Sequence, residues 1–207
     1  NRDPVAARVA IASAHHSLVK RYVGVWWQKP LAFWHMFHAI RHVYGVLHFE
    51  RDVKLSADQI DVVTSILVKT PSWLLGDTVC ASSLLYSALF LNSQEGNTMK
   101  PHTRALMLCT LGEIEYKLGD VDAAWRRFNG ARELIPAIQD EDSSDRERQL
   151  VRVLANVGFF FWDHGGGLIK IDGRHLIEQS LQLAYRVSMD QWHKTKAECR
   201  RRGIKLE

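Results

Sequence analysis

Three histidines in one segment are spaced so that they could share a face of a helix. His35, His38 and His42 lie at positions i, i+3 and i+7 of the stretch LAFWHMFHAIRHVYGVLHFE, residues 31–50. Because neutral imidazole is a common metal ligand, the pattern raises the question of a metal site. The outer two would be about 10.5 Å apart along the helix axis. Metal–nitrogen bonds are only about 2.1 Å long, so one ion cannot bind all three side chains.

Other groups that would complete a metal or hydrolytic site near this stripe are few. His15 and His16 precede it, and antiparallel pairing of two helices would bring them near the level of Ala39. No Asp or Glu lies on the stripe to act as the base of an HExxH-type site. We therefore expect these histidines to be packing or contact residues, with no metal and no cofactor.

Motifs for nucleophilic or nucleotide chemistry are also missing. The sequence contains no GxSxG, no GxxxxGK[ST] and no GxGxxG. The one triple glycine, residues 165–167, has no predicted strand before it and is explained by a turn between helices. We therefore predict a protein without catalytic activity.

Composition limits the class of protein and its compartment. The 207 residues suffice for one core or a short array of repeats. No apolar run approaches the roughly 18 residues of a membrane helix, and the first residues do not resemble a signal peptide. Cys80, Cys109 and Cys199 lack the spacing of a disulfide framework or a zinc site. We expect reduced thiols, no membrane insertion and a cytoplasmic or nuclear location.

The C-terminal part of the chain is the most basic. Residues 186–205 hold seven Lys or Arg against two acidic residues, which leaves the remainder about neutral. We predict a basic helical tail over 188–205 with exposed cations. Because no base-reading motif accompanies it, neither nucleic acid nor acidic lipid is its expected partner. The absence of an initial Met and the final Leu206-Glu207 suggest an excised piece that ends in a cloning remnant.

The elements that carry these residues are predicted to be helices. Long segments with a 3.6-residue period alternate with turn clusters such as WQKP and NSQEGNTMKP. The predicted fold class is all-α, in a single domain over 1–205. Four antiparallel helical hairpins are predicted, at about 5–50, 57–93, 103–138 and 146–187.

The first hairpin is predicted to pack through small and medium-sized residues on its second helix. The predicted packing positions are Ala32, Met36, Ala39 and Val43. In that register the histidine stripe lies on a neighbouring, partly exposed flank. Trp26, Trp27, Trp34 and Phe37 are expected to be exposed, which predicts self-association through this hairpin.

The third hairpin carries the densest pattern, ALMLCTLGEIEYKLGDVDAAWRRFNGARELIP over 105–136. Small residues at Gly112, Ala124 and Ala131 would let two antiparallel helices approach closely. Gly119-Asp120 is predicted to form the turn and to cap the second helix. This segment resembles the tetratricopeptide repeat. The positions that agree with its signature are Leu108, Leu111, Gly112, Tyr116, Gly119, Asp120, Ala124, Phe128, Ala131, Leu134 and Pro136.

The resemblance extends more weakly to the neighbouring hairpins. The turn markers Gly76, Gly119 and Gly165 are 43 and 46 residues apart, longer than the roughly 34 of the standard repeat. Such spacing is similar to the extended repeats of kinesin-light-chain-type scaffolds. Residues 166–173, GGLIKIDG, are expected to be an insertion before the last helix of the fourth hairpin. The resemblance implies a TPR-like α-solenoid that binds another protein.

In this superfamily the first helix of each hairpin lines an inner groove. The corresponding positions here are Ser17, Arg21, Ile66, Thr70, Cys109, Glu113, Lys117, Arg152, Asn156, Phe159 and Asp163. Phe159 is the predicted anchor for a ligand. The carboxylate clamp of chaperone-binding members is not reproduced, so we expect a peptide motif or partner helix with apolar and charged residues.

Two alternatives to a peptide-binding scaffold are left open by the sequence. The chain could be a sensor or regulatory module of a larger signalling protein. It could also be a nucleic-acid- or metal-linked module that uses the basic tail or the His-rich helix.

Overall fold

The computed structural model describes residues 4–22, 29–49, 99–141 and 146–205, together with 55, 56, 59, 62, 63 and 66. Within these residues the regular secondary structure is helical and no strand occurs, which confirms the all-α class. The helices are α1 Pro4–Tyr22, α2 Lys29–Phe49, α3 Pro101–Lys117, α4 Val121–Glu133, α5 Ile135–Gln139, α6 Arg146–His164, α7 Gly167–Val187 and α8 Met189–Arg201. None of the described helices is long and apolar enough to cross a membrane.

The chain divides into two compact units, Asn1–Thr103 and Arg104–Glu207. The boundary falls in the first turn of α3. Most of the second predicted hairpin, 57–93, lies outside the described residues, as do Thr70, Trp26 and Trp27. The two units are therefore described in turn.

The first unit contains the α1–α2 hairpin. The buried positions of α1 recur every three or four residues, as expected for one face of a helix. They are Val5, Val9, Ala12, His16 and Val19. The predicted packing face of α2 is confirmed, because Ala32, Met36, Ala39 and Val43 are all at most 2% exposed.

The second unit begins with the α3–α4 hairpin, whose turn forms as predicted. Gly119 has a φ of +89°, a backbone conformation that favours glycine. The next residue, Asp120, caps α4, since its carboxylate accepts a 3.0 Å hydrogen bond from the backbone N–H of Ala123. The chain therefore reverses direction in three residues.

The two helices of this hairpin approach most closely at Gly112. A Cβ atom at this position would lie 2.7 Å from Cε2 of the Phe128 ring. The buried Ala124 and Ala131 lie on the opposing helix, on the same side as Phe128. The small residues therefore allow the contact that the sequence pattern predicts.

The α6–α7 hairpin packs through glycine as well. A Cβ atom at Gly158 would lie 2.8 Å from the carbonyl oxygen of Gly173. Further along, the buried Ser180 hydroxyl donates a 2.9 Å hydrogen bond to the carbonyl oxygen of Val151.

The predicted insertion 166–173 is wrong, because α7 already begins at Gly167 and these residues form its first turns. Packing at Gly173 outweighs the low helix propensity of the glycines.

Helix α8 is separate from α7. The backbone of Ser188 is extended, with φ −162° and ψ 96°, and its hydroxyl accepts a hydrogen bond from the N–H of Gln191. Cys199 and Ile204, at the end of α8 and just beyond it, pack in one buried cluster with Phe159 and Ile177. The basic tail therefore folds against the α6–α7 hairpin.

Gly112→Ala is expected to destabilise the second unit by about 1–3 kcal/mol, because the added methyl group would overlap the Phe128 ring. Gly130→Ala in the facing helix is the matched control. Its Cβ would meet only Leu108 Cδ1, at 3.5 Å, so higher helix propensity should make it neutral or stabilising by up to about 1 kcal/mol. Urea unfolding followed by circular dichroism measures both changes. An equal effect of the two substitutions would contradict the close approach at Gly112.

Candidate functional site

A groove of about 930 Å³ opens in the second unit, and we refer to it as the second-unit groove. Most of its lining comes from α3, α6 and α8. On α6 the lining positions Arg152, Asn156, Phe159 and Asp163 follow the i, i+4, i+7, i+11 spacing of one helix face. That face points away from α7, because Gly158 and Ser180 hold the opposite side of α6 against α7.

Six of the predicted site residues line this groove together. They are Glu113, Lys117, Arg152, Asn156, Phe159 and Asp163. Arg21 and Ser17 are exposed on α1, in the other unit, and Thr70 lies outside the described residues. The structure thus brings together the predicted positions of the third and fourth hairpins, with the exception of Cys109.

Two predicted groove residues are buried, so their placement on an open surface is wrong. Cys109 and Ile66 are both 0% exposed. Cys109 lies in the stretch 105–109 of α3, which is buried on every side, and the groove begins one turn later, at Glu113. Burial also raises the pKa of the Cys109 thiol well above its ordinary value, so this group is not a nucleophile at neutral pH.

Phe159 lines the groove, but most of its ring is already covered by the chain itself. It is 9% exposed and packs with Cys199 and Ile204 from the C-terminal segment. The guanidinium carbon of Arg202 lies 4.8 Å from the centre of the ring, a cation–π contact. Phe159 is therefore part of the apolar wall rather than a free anchor.

Arg202 connects α8 to α6 through charge as well as packing. Its guanidinium contacts the carboxylate of Asp163 and, at 2.6 Å, that of Glu198. Burial lowers the pKa of Arg202, whereas the negative charge of Glu113 raises it. The expectation that the cations of the tail are exposed is therefore wrong for this residue, which is a fixed part of the wall.

Arg152 is the half-buried cation of the groove that has no acidic partner among the described residues. Its Nη1 donates a 3.2 Å hydrogen bond to the neutral Oε1 of Gln149. Burial lowers the pKa of the Arg152 guanidinium, although an arginine still carries its charge at neutral pH. Much of the donor capacity of this side chain is thus available to a ligand.

At Glu113 the pKa is raised, whereas at Arg152 it is lowered; in both side chains burial disfavours the charged form. Its side chain is solvent-accessible, but it lies in a concave region, and the surrounding protein raises the pKa of its carboxyl group. The nearby cations Lys117 and Arg202 act against this shift. The groove therefore combines a partly desolvated acid with nearby cations.

One end of the groove is aromatic, and sequence reasoning missed these residues. The Tyr116 and His164 rings lie 4.2 Å apart, and the Phe128 and Phe160 rings stack at 3.9 Å. Burial lowers the pKa of His164. The aromatic run that begins at Phe159 was the available signal, but periodicity alone did not show which ring would face the groove.

The histidine stripe of the first unit forms a separate ring cluster. The His15 and His35 Nδ1 atoms are 2.8 Å apart, which allows one ring to donate a hydrogen bond to the other. The His15 ring also stacks on His38 and His42, at centroid distances of 5.3 and 6.3 Å. His35 is only 8% exposed, so its predicted place on a partly exposed flank is wrong. Contact with α1 explains its burial.

Electrostatics favour the neutral forms of His15 and His42. Burial lowers the pKa of His15, with a further contribution from the other three histidines. Burial also lowers the pKa of His42, followed by the positive charge of Arg8 and by His38 and Arg41. Within the described residues, no group of three or more His, Cys, Asp or Glu side chains is arranged to hold a metal ion.

Comparisons with protein-family models, with curated proteins and with solved structures find no match to this chain.

Acidification is expected to destabilise the α1–α2 hairpin. Because the pKa values of His15 and His42 are lowered on folding, the folded chain binds fewer protons than the unfolded chain. Stability is then full above the unfolded pKa of about 6.5 and is lost as the pH falls below it. As the pH is lowered, the thermal unfolding midpoint should therefore decrease less steeply in His15→Gln than in the wild type. His193→Gln, an exposed control on α8, should leave the slope unchanged, and equal slopes in all three would contradict the prediction.

Arg202→Met is expected to destabilise the second unit by about 1 kcal/mol, because it removes the cation–π contact with Phe159 and the link to Asp163. Arg201→Met is the matched control, since Arg201 is a neighbouring exposed cation that also pairs with Glu198. Exposed ion pairs contribute little, so the control should unfold at nearly the wild-type urea concentration. If both variants unfold together, Arg202 does not hold α8 in place.

Proposed function

We propose that this chain is a non-catalytic scaffold of the tetratricopeptide type that binds a peptide segment of another protein in the second-unit groove. Paired antiparallel helices with a glycine–aspartate turn and small residues at the helix contact support this architecture. In such a scaffold, α3, α6 and α8 are successive first helices, and α8 occupies the place of the next repeat.

The size and lining of the groove suit a short peptide. Its volume of about 930 Å³ falls at the upper end of the range for small-ligand sites, roughly 300–1,000 Å³. The aromatic end at Tyr116 and His164 offers an apolar contact, and Asn156 offers both hydrogen-bond donors and an acceptor. These groups suit a segment with an apolar residue beside polar ones.

The observation that carries the proposal is the charge left over at Arg152. Three other groove cations, Lys194, Arg201 and Arg202, pair with acidic side chains of the chain itself. Arg152, in contrast, pairs only with a neutral amide and is half-buried. A carboxylate from a ligand would gain a charge-assisted hydrogen bond there, and its desolvation would be compensated. The peptide is therefore expected to place an Asp, a Glu or a C-terminal carboxylate at Arg152.

Several reactive groups in or near the groove are buried or already paired, which supports the non-catalytic part of the proposal. Cys109, the thiol beside it, is buried and has a raised pKa. Among the groove carboxylates, Asp163 and Glu198 are held by Arg202, and Asp190 pairs with Lys194. These paired groups are not presented to a substrate as an activated nucleophile or base.

Selection of peptides from a random phage-displayed library against the full chain tests the proposal. The selected peptides should be enriched in acidic residues and should bind Arg152→Glu at least about tenfold more weakly, because the substitution places two negative charges together. Arg126→Glu, an exposed residue of α4 outside the groove, is the matched control and should bind like the wild type.

Two outcomes would overturn the proposal. One is that no peptide is enriched over selection against an unrelated helical protein. The other is that the selected peptides bind Arg152→Glu and Arg126→Glu with the same affinity as the wild type. Circular dichroism of each variant verifies that the helices are intact.

A further inference from the structure

Helices α1 and α2 of the first unit contain no acidic residue. Their sequences include five Lys or Arg and six histidines, but neither Asp nor Glu. The two helices therefore carry a charge of about +5 when the histidines are neutral. This excess cannot be neutralised within the hairpin, so the surface attracts anions.

Large apolar side chains are exposed on the same hairpin. The exposed fractions are 42% for Ile11, 42% for Leu31, 52% for Trp34 and 60% for Phe37. A solvent-exposed tryptophan and phenylalanine one turn apart are unusual in a protein that buries its apolar groups. Together they form a projecting apolar surface on the hairpin.

These side chains share one face with a cation. Leu31, Trp34, His38 and Arg41 follow the i, i+3, i+7, i+10 spacing of a single stripe on α2, and Phe37 lies one turn before Arg41. The His15 ring of α1 contacts the Trp34 ring, at 5.7 Å between centroids, and Ile11 lies one turn before His15. We define the aromatic–cationic face as Ile11, Leu31, Trp34, Phe37 and Arg41.

We propose that the aromatic–cationic face binds an anionic membrane surface. Trp34 and Phe37 enter the boundary between headgroups and acyl chains, and Arg41 contacts lipid phosphates. Tryptophan favours this boundary, and basic residues near it are attracted by anionic lipid. Such peripheral binding needs no membrane-spanning helix.

Lipid fits this face better than an acidic protein or a nucleic acid. Trp34 and Phe37 project with more than half of their surface exposed, which suits a deformable partner more than a rigid complementary pocket. The aliphatic Ile11 and Leu31 add apolar surface that a nucleic-acid phosphate backbone would not bury. This proposal concerns the first unit and is independent of peptide binding in the second-unit groove.

Co-sedimentation of the full chain with large vesicles provides the test. The vesicles contain phosphatidylcholine alone or phosphatidylcholine with roughly one third phosphatidylserine. Partitioning to the anionic vesicles should be at least about tenfold stronger than to the neutral ones, and it should weaken as salt is raised. Equal partitioning to both kinds of vesicle, or none to either, would overturn the proposal.

Variants locate the binding surface. Trp34→Ser with Phe37→Ser, and separately Arg41→Glu, should each lower partitioning to anionic vesicles by about tenfold or more. Leu168→Ser with Tyr185→Ser is the matched apolar control, because these residues are 83% and 64% exposed on the second unit. Arg126→Glu is the charge control, and both controls should bind like the wild type.

Binding to an acidic protein or to a nucleic acid would give results that differ from those of membrane binding. If the controls lower partitioning as much as the face variants, the aromatic–cationic face is not the binding surface. If the chain binds poly-glutamate or duplex DNA while it fails to partition to anionic vesicles, the partner is not a membrane. Either result would contradict the proposal. Circular dichroism of the face variants verifies that their exposed substitutions leave the helices intact.

Discussion

The close approach of paired helices at glycine is the constraint on which the second unit depends. At Gly158 a side chain would collide with the backbone of Gly173, and at Gly112 with the ring of Phe128. Because one side of α6 and one side of α3 are held so tightly, the opposite sides of these helices must face away from their partners. Arg152 and Glu113 are directed into the groove by contacts made on the far side of their own helices.

Helix α8 forms one wall of the groove beside the face of α6 that carries Arg152. Its end covers Phe159 with Cys199 and Ile204, which removes apolar surface from water. The same contact brings Arg202 to Asp163, so that one cation and one acid of the groove are already paired. Pairing within the wall thus neutralises several of the groove charges, whereas the half-buried Arg152 bonds only the neutral amide of Gln149 among the described residues.

Local signals in the sequence were sufficient where the physics is local. The turn at Gly119 and the cap at Asp120 involve neighbouring residues only, and both formed as predicted. The face of α6 that lines the groove was predicted from the resemblance to the tetratricopeptide repeat. Burial could not be predicted in the same way, because it depends on which distant segment covers a residue. Cys109, His35 and Phe159 all lie at suitable helix positions but are covered by neighbours that periodicity does not identify.

The start of α8 could have been predicted from the sequence. Ser188 is followed by Asp190, and serine is a common helix cap, while acidic residues favour the first turn of a helix.

The distribution of charge changes once contacts are known. From the sequence, the basic character of the chain appeared concentrated in residues 186–205. In the folded chain, Arg202 pairs with Asp163, an acid outside that segment, so one charge of the local excess is balanced at short range. Helices α1 and α2 have no acid with which to do the same. A charge that is paired within a few ångströms contributes little to the field at longer distance, whereas a net excess of one sign acts over about a Debye length. The long-range attraction of anions is therefore expected from the α1–α2 hairpin as well as from the C-terminal segment.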